Sequence, residues 1–296
     1  MKKAIFLIIT LSIVVISAIF WQKSSSTSTI DNRAVVATIY PLYFMTKEIA
    51  KDEIEVKRLI KAGSEIHSFS PTPKDMVLLS NSKILITLGS SLEPWVKKLS
   101  NASSITILST SNKLNLIHHD EHIDPHIWLD FKNDIDIVDA IESKLSILYP
   151  SSKEMFAKNA KELKDRFISL DKKYKSGLKE CKKDTILVTH NAFGYMQRVY
   201  DFKSESIMGI FAHSRPNASK IAMLSDEIKE KSIKVLFFDP MSSNKSATQL
   251  AKDMKLTLLP LYPLGNISID DQKGGEDFFS LLEKNLQSLK QGLECL

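Results

Sequence analysis

The chain has 296 residues, 43% of them hydrophobic and 25% charged, enough to bury a sizeable core and unlike a disordered or fibrous sequence. Nine Gly, ten Pro and two Cys exclude collagen-like, low-complexity and disulfide-framework classes. Forty Lys and Arg against 35 Asp and Glu give a net charge of +5, part of it from Lys2, Lys3 and Lys23 near the N-terminus, which argues against a dedicated nucleic-acid surface.

The first element is a leader at 1–29. Lys2 and Lys3 precede a mostly apolar run at 4–21, followed by a polar spacer of Ser and Thr, the layout of an export signal. As a helix that run would span ~27 Å, so an uncleaved membrane anchor is the alternative to cleavage. Either way the working part of the chain is expected outside the cytoplasm, and no later stretch reaches membrane-spanning length. In such an oxidising compartment Cys181 and Cys295 either pair or persist as two thiols, and the sequence leaves both readings open.

From residue 35 onward, short β-branched runs alternate with helical periodicity, the pattern of parallel sheets covered by helices. Strands are predicted at 35–39, 54–60, 83–88 and 104–108, with helices at 42–51, 73–81, 92–100 and 133–148. After residue 180 the strands fall at 185–189, 204–208, 233–238 and 256–259, with helices at 192–200, 217–231, 245–254 and 277–289. Between the halves, Phe156, Ala160, Leu163, Phe167, Leu170, Tyr174 and Leu178 recur three or four residues apart, with charged residues on the other faces. This predicts one helix over 151–180, about 45 Å long and capped by a Ser151/Glu154 box, running across both halves as a stiff connector. A break near Ser169 or Gly177 is the alternative.

The expected architecture is α/β, two (βα) lobes with parallel sheets joined by one long rigid helix. The boundaries are a first lobe at 34–149, a linking helix at 150–181 and a second lobe at 182–296.

Seven histidines are present, and a lone His is more often a surface or hydrogen-bonded residue than a ligand. His190 directly follows a buried-type strand, at the carboxyl end where open parallel sheets hold ligands. Asp239 has the same placement after Phe238. His67 follows a turn containing Gly63 and precedes Pro71 and Pro73 at a helix start. His126 lies in Asp124-Pro125-His126-Ile127-Trp128-Leu129-Asp130. Four metal-competent side chains thus fall in strand-end loops of both halves, where an interdomain metal site could assemble. Neutral imidazole suits zinc, and Asp124, Asp130 or backbone carbonyls could orient the rings. The ~60-residue spacing of these histidines carries little weight alone, because no short metal motif accompanies it.

Ala37-Thr38-Ile39-Tyr40-Pro41, His67-Ser68-Phe69-Ser70-Pro71-Thr72-Pro73, the 124–130 segment and His190-Asn191-Ala192-Phe193-Gly194-Tyr195 occur in this order around the long helix. With these motifs the chain from Ala34 to its end resembles the cluster A-I substrate-binding proteins of metal ABC transporters, which include zinc-uptake and manganese-uptake receptors. The resemblance implies a single metal between two lobes, ligated by His67, His126 and His190. It also implies a monomeric periplasmic receptor that delivers the ion to an inner-membrane ABC permease.

The fourth ligand position departs from the family pattern, with Tyr262 of Tyr262-Pro263-Leu264-Gly265 where an Asp is usual. Asp239, Glu65 or water are the candidates in its place. Loss of that carboxylate leaves a nitrogen-rich site, which favours Zn2+ over Mn2+. His118, His119 and His122 with Asp120 and Glu121 resemble a shortened accessory metal-binding loop, or else form a solvated polar loop; His213 reads as a loop residue near the cleft rim. Tyr40, Phe69, Trp95 and Trp128 either line the cleft or, as most aromatics do, pack in the core. Other functions weighed are a manganese receptor, a surface adhesin, and an exported zinc hydrolase with Asp239 or Glu65 as base. His-Glu-x-x-His and Gly-x-Ser-x-Gly are both absent from the sequence, which argues against the hydrolase.

Overall fold

The computed structural model describes residues 34–89, 91–102, 105–112, 114–119, 122–208, 218–242 and 245–296. The leader at 1–29, Asp120, Glu121 and His213 lie outside the described residues. Strands β1 (Val35–Ala37), β2 (Val56–Arg58), β3 (Ile84–Thr87) and β4 (Thr106–Ser109) form a parallel sheet in the order β2-β1-β3-β4. Then come β5 (His118–His119) and β6 (His122–Ile123), a two-stranded antiparallel hairpin. The second parallel sheet contains β7 (Thr185–His190), β8 (Lys203–Met208), β9 (Val235–Phe238) and β10 (Thr257–Pro260), in the order β10-β9-β7-β8. Read from the opposite edge, this is the order of the first sheet. In each, the chain reverses its direction of winding between the first and third strands.

The strands are apolar on both faces because both faces are covered. In β1, Val35 and Ala37 face the main core, while Val36 packs with Leu59, Leu79, Leu85 and Leu99 in an outer layer. In the second sheet, Ile186, Val188, Val235 and Phe237 face the main core, while Leu187 and Leu236 meet Leu224, Ile228, Ala247 and Ala251. The covering helices are α1 (Tyr40–Ala50), α2 (Pro73–Ser80), α3 (Trp95–Ala102), α4 (Phe131–Leu148), α5 (Lys153–Gly177), α6 (Gly194–Tyr200), α7 (Ala218–Glu230), α8 (Lys245–Met254), α9 (Ile269–Lys273) and α10 (Phe278–Gly292).

Helix α5 joins the lobes, burying Phe156, Ala160, Leu163, Phe167, Leu170 and Tyr174 along the predicted stripe. It is shorter than the periodicity suggests, 25 residues or about 38 Å. Pro150 opens a separate 3-10 turn at Pro150–Ser152, and α5 starts without a side-chain cap. The expected Ser151/Glu154 capping box is therefore not formed: the N-cap is Ser152, whose hydroxyl donates to Glu53 Oε1 at 2.6 Å. At its far end the buried Tyr174 hydroxyl donates to Leu282 O at 2.6 Å, and Phe167 packs against Phe278 and Phe279 of α10. Beyond α5, Cys181 and Cys295 form a disulfide, resolving the open reading in favour of pairing. One apolar core runs from β1 through α5 to α10.

Helix α9 was not anticipated; Ser268 caps it by accepting from the Asp271 N–H at 2.9 Å. Among the described residues no helix is long and apolar enough to cross a membrane.

Candidate metal centre

His190 is the last residue of β7, one position later in the strand than the sequence suggests, and is 4% exposed. Asp239 follows the neighbouring strand β9, so the two flank the point where the second sheet reverses its winding, a recurrent ligand position. The equivalent point of the first sheet is filled by a polar knot. There the Thr38 hydroxyl donates to Glu93 Oε1 and the Gly89 N–H donates to Glu93 Oε2 at 2.9 Å. Burial pushes the Glu93 carboxyl up to about 7, against the pull of these hydrogen bonds.

His126 sits at the start of the 3-10 turn Ile127–Leu129, wholly buried. Asp124 Oδ1 accepts the His126 backbone N–H at 2.9 Å and lies 2.8 Å from His126 Nδ1. That contact favours the tautomer in which Nδ1–H donates to Asp124 Oδ1 and Nε2 carries the lone pair. His126 Nε2 is buried with no hydrogen-bond partner, the condition of a nitrogen kept for an ion. Asp124 is held in turn by its surroundings. Tyr195 Oη donates to Asp124 O at 3.0 Å, and a Cβ on Gly194 would stand 2.9 Å from Asp124 Oδ2, so glycine permits the approach.

His67 arrives on an irregular loop that turns at Gly63, whose φ of +76° favours glycine. Glu65 Oε1 accepts the His67 N–H at 2.9 Å, and the loop ends at α2, where Thr72 and Asp75 form a capping box with Pro73 in its first turn.

The three rings converge. Their centroids are 5.4 Å apart for His67 and His126, 5.3 Å for His67 and His190, and 5.0 Å for His126 and His190. One nitrogen from each lies within 4.8 Å of the others. A tetrahedral zinc with bonds of about 2.05 Å sets its ligand nitrogens about 3.3 Å apart, so ring rotations of roughly an ångström close the site. The pocket they border has a volume of about 110 Å³ and is also lined by Glu65, Asp239 and Tyr262.

Neither proposed fourth ligand belongs to the three-nitrogen cluster. Asp239 accepts from the Met241 N–H at 2.9 Å and from the Ser242 hydroxyl at 3.0 Å, so both oxygens already brace its own loop. Burial raises its pKa, with those two hydrogen bonds acting the other way and Glu65 adding like charge. Asp130 does not orient an imidazole. Its Oδ1 accepts the Lys132 N–H at the start of α4, and its Oδ2 meets Arg198 Nη2 of α6 at 2.8 Å, which ties the His126 turn to the helix after His190.

His118 and His119 pair with Ile123 and His122 in the antiparallel strands β5 and β6, where a loop is expected from the sequence, and His118 is exposed. Of the aromatics, Tyr40 and Trp128 are core residues, and Phe69 packs edge-on to Trp95 at 6.1 Å in the outer layer. Trp128 also donates its indole N–H to Pro263 O at 2.7 Å, with its ring 5.4 Å from that of His126. The residues the sequence did not single out are Glu93 and Arg198. Of these, only Glu93, an acid inside the apolar Leu92-Glu93-Pro94-Trp95 run, carries a local signal.

A family model described as the zinc-uptake complex component A, periplasmic, matches residues 35–292. The zinc-binding protein AdcA of Streptococcus pyogenes is 32% identical over 98% of the chain, which spans only 61% of that protein's length. The high-affinity zinc uptake system protein ZnuA of Bacillus subtilis is 30% identical over 92% of the chain and 91% of its own length. Among solved structures, the Zn(II)-bound ZnuA-like domain of Streptococcus pneumoniae AdcA superposes with a TM-score of 0.80. It is 31% identical, over 89% of this chain and 99% of that one. The laminin-binding protein Lmb of Streptococcus agalactiae gives 0.81 at 28% identity, over 88% and 99% of the two chains. With its paired parallel sheets, spanning helix and convergent histidines, the chain belongs to the zinc-uptake component A family.

Proposed function

We propose that the chain is the extracytoplasmic receptor of a zinc importer, in which His67, His126 and His190 hold one Zn2+ as cargo and release it to an ABC permease. The carrying observation is the convergence of three imidazoles from separate segments of both lobes, with the buried Nε2 of His126 free of any hydrogen bond. The chemistry fits the ion: three neutral nitrogens with one position left for water, Asp239 or Glu65 suit zinc better than manganese, which prefers more oxygen donors. Relatives named for zinc binding and zinc uptake support the same reading.

Each residue has a binding task. Asp124 fixes the tautomer of His126, Glu65 holds the backbone at His67, and strand β7 aims His190. The pocket of about 110 Å³ has room for an ion and water, and relatives named for zinc binding and zinc uptake favour a receptor over a hydrolase. In this reading the receptor works as a monomer, and 34–149 and 182–296 are its lobes.

The test is the metal content of the purified chain, followed by competition between zinc and manganese at equal concentration. One equivalent of zinc that an equal concentration of manganese does not displace is expected. Preferential retention of manganese would assign the other ion.

A further inference from the structure

After β10 the chain at 262–268 leaves the second sheet and is fastened to the first lobe. Pro263 O accepts from Trp128 Nε1, Gly265 O accepts the Tyr40 N–H at 3.3 Å, and Ile267 O accepts the Gly63 N–H at 2.9 Å. Asn266 is the hub of this strap. It is 6% exposed, and its Nδ2 donates to Lys61 O at 2.7 Å and to Ser64 O at 2.8 Å. Its Oδ1 accepts the Ile267 N–H at 2.9 Å and faces Arg58 Nη1 at 3.4 Å.

Arg58, on edge strand β2, also donates to Gln272 Oε1 at 3.1 Å and stacks its guanidinium over Tyr40 and Tyr43. Lys61 and Ser64 bracket Gly63, the turn that delivers Glu65 and His67. Gly265 presses against the same loop, since a Cβ there would stand 2.2 Å from Ile66 Cδ1.

We propose that Asn266 is a positioning residue for the metal site, clamping the loop that carries His67 to the strap from the opposite lobe and so setting how fast the ion escapes. The inference rests on the zinc reading above. His126 is placed by a buried turn and His190 by a central strand, but the 61–67 loop has no regular structure and takes its position from hydrogen bonds. Two of them come from a single amide more than 200 residues away in sequence. Removing that amide leaves the Lys61 and Ser64 carbonyls without a cross-lobe donor and frees the loop to carry His67 away from the other two imidazoles.

The experiment compares zinc dissociation into excess chelator for the wild-type chain and Asn266→Asp. This isosteric change replaces the two amide donors with an oxygen facing two carbonyl oxygens. Asn159→Asp, which removes a comparable bond to Ile49 O far from the site, serves as the stability control. Dissociation about tenfold or more faster is expected for Asn266→Asp, within the range seen when outer hydrogen-bonding partners of ligands are removed. The visible spectrum of the cobalt-substituted protein should shift as well, while Asn159→Asp keeps wild-type kinetics and spectrum.

Unchanged dissociation in Asn266→Asp would overturn the proposal, as would an equal acceleration in Asn159→Asp at matched loss of stability. If Asn266→Asp does not fold, Arg58→Lys, which dissolves the fork on Asn266 and Gln272, carries the test. Dissociation faster by about threefold is then expected, and wild-type kinetics would overturn the proposal. A wild-type chain that takes up no zinc would instead sink the functional reading itself.

Discussion

Asp124 Oδ1 lies 2.8 Å from His126 Nδ1, and both side chains are sealed from solvent, at 1% and 0% exposure. A buried carboxylate in that position makes the opposite nitrogen a stronger donor and holds its ring still. Asp124→Asn keeps the shape but loses the charge, and a fall in zinc affinity of about tenfold is expected; Asp124→Ala, which also loses the orientation, should cost about 100-fold. Chelator competition titrations check both, and wild-type affinity in Asp124→Ala would show that the pair does not tune the site.

The three converging histidines and the hairpin histidines make separable predictions. Ala at His67, His126 or His190 should each abolish tight zinc binding, whereas replacing His118, His119 and His122 together should spare it. Equilibrium dialysis at sub-stoichiometric zinc distinguishes the two sets. Imidazole must shed its proton to ligate, so affinity should also fall as the pH drops below about 6.

Glu93 sets a pH dependence that belongs to folding rather than to zinc. Its carboxyl is raised from 4.5 to about 7 in the folded chain, so the folded state binds this proton more tightly than the unfolded one. The stability it contributes is complete below about 4.5 and is lost as the pH rises through about 7, a swing on the order of 3 kcal/mol. Glu93→Gln imitates the protonated acid. Urea unfolding of the metal-free protein at pH 5 and pH 8 should show a smaller loss of stability in this variant than in the wild type, and parallel losses would contradict the assignment.

Asp134, in the first turn of α4, is fully buried with both carboxylate oxygens lacking hydrogen-bond partners, and burial raises its pKa well above the usual carboxylate value. The stability this group carries is full below about 3.8 and falls as pH climbs. Asp134→Ala should therefore stabilise the metal-free chain at pH 8 by about 1–3 kcal/mol, with the advantage shrinking in acid. Melting temperatures at pH 8 and pH 4 provide the measurement.

The parts of the molecule readable from the sequence were those written in local patterns. Val35–Ala37 and residues 186–188 are unbroken apolar runs because both faces of each sheet are covered, and His190, at the end of the second strand, lies where parallel sheets gather ligands. The failures have long-range causes. The Ser151/Glu154 box fails because the 3-10 turn at Pro150–Ser152 moves the N-cap to Ser152, whose hydroxyl goes to Glu53, 99 residues away. Asp130 looked like a support for His126 but is bound by Arg198, 68 residues on. Asn266 carries no local mark, because its partners Lys61 and Ser64 become neighbours only when the lobes meet. The two-residue strands of the His118 hairpin are too short and too polar to show a period of two.

The uninterrupted core that threads both sheets and α5 has a consequence for traffic through the site. Side chains of β1, α5 and α10 share one packed interior, so the halves should melt together in a single cooperative transition and cannot swing apart without tearing it. In the proposed receptor, exchange of a bound ion would then fall to the irregular 61–67 loop at the edge of that core. If the chain works as the proposed receptor, release of its ion calls for loosening that stretch and not for parting the two sheets.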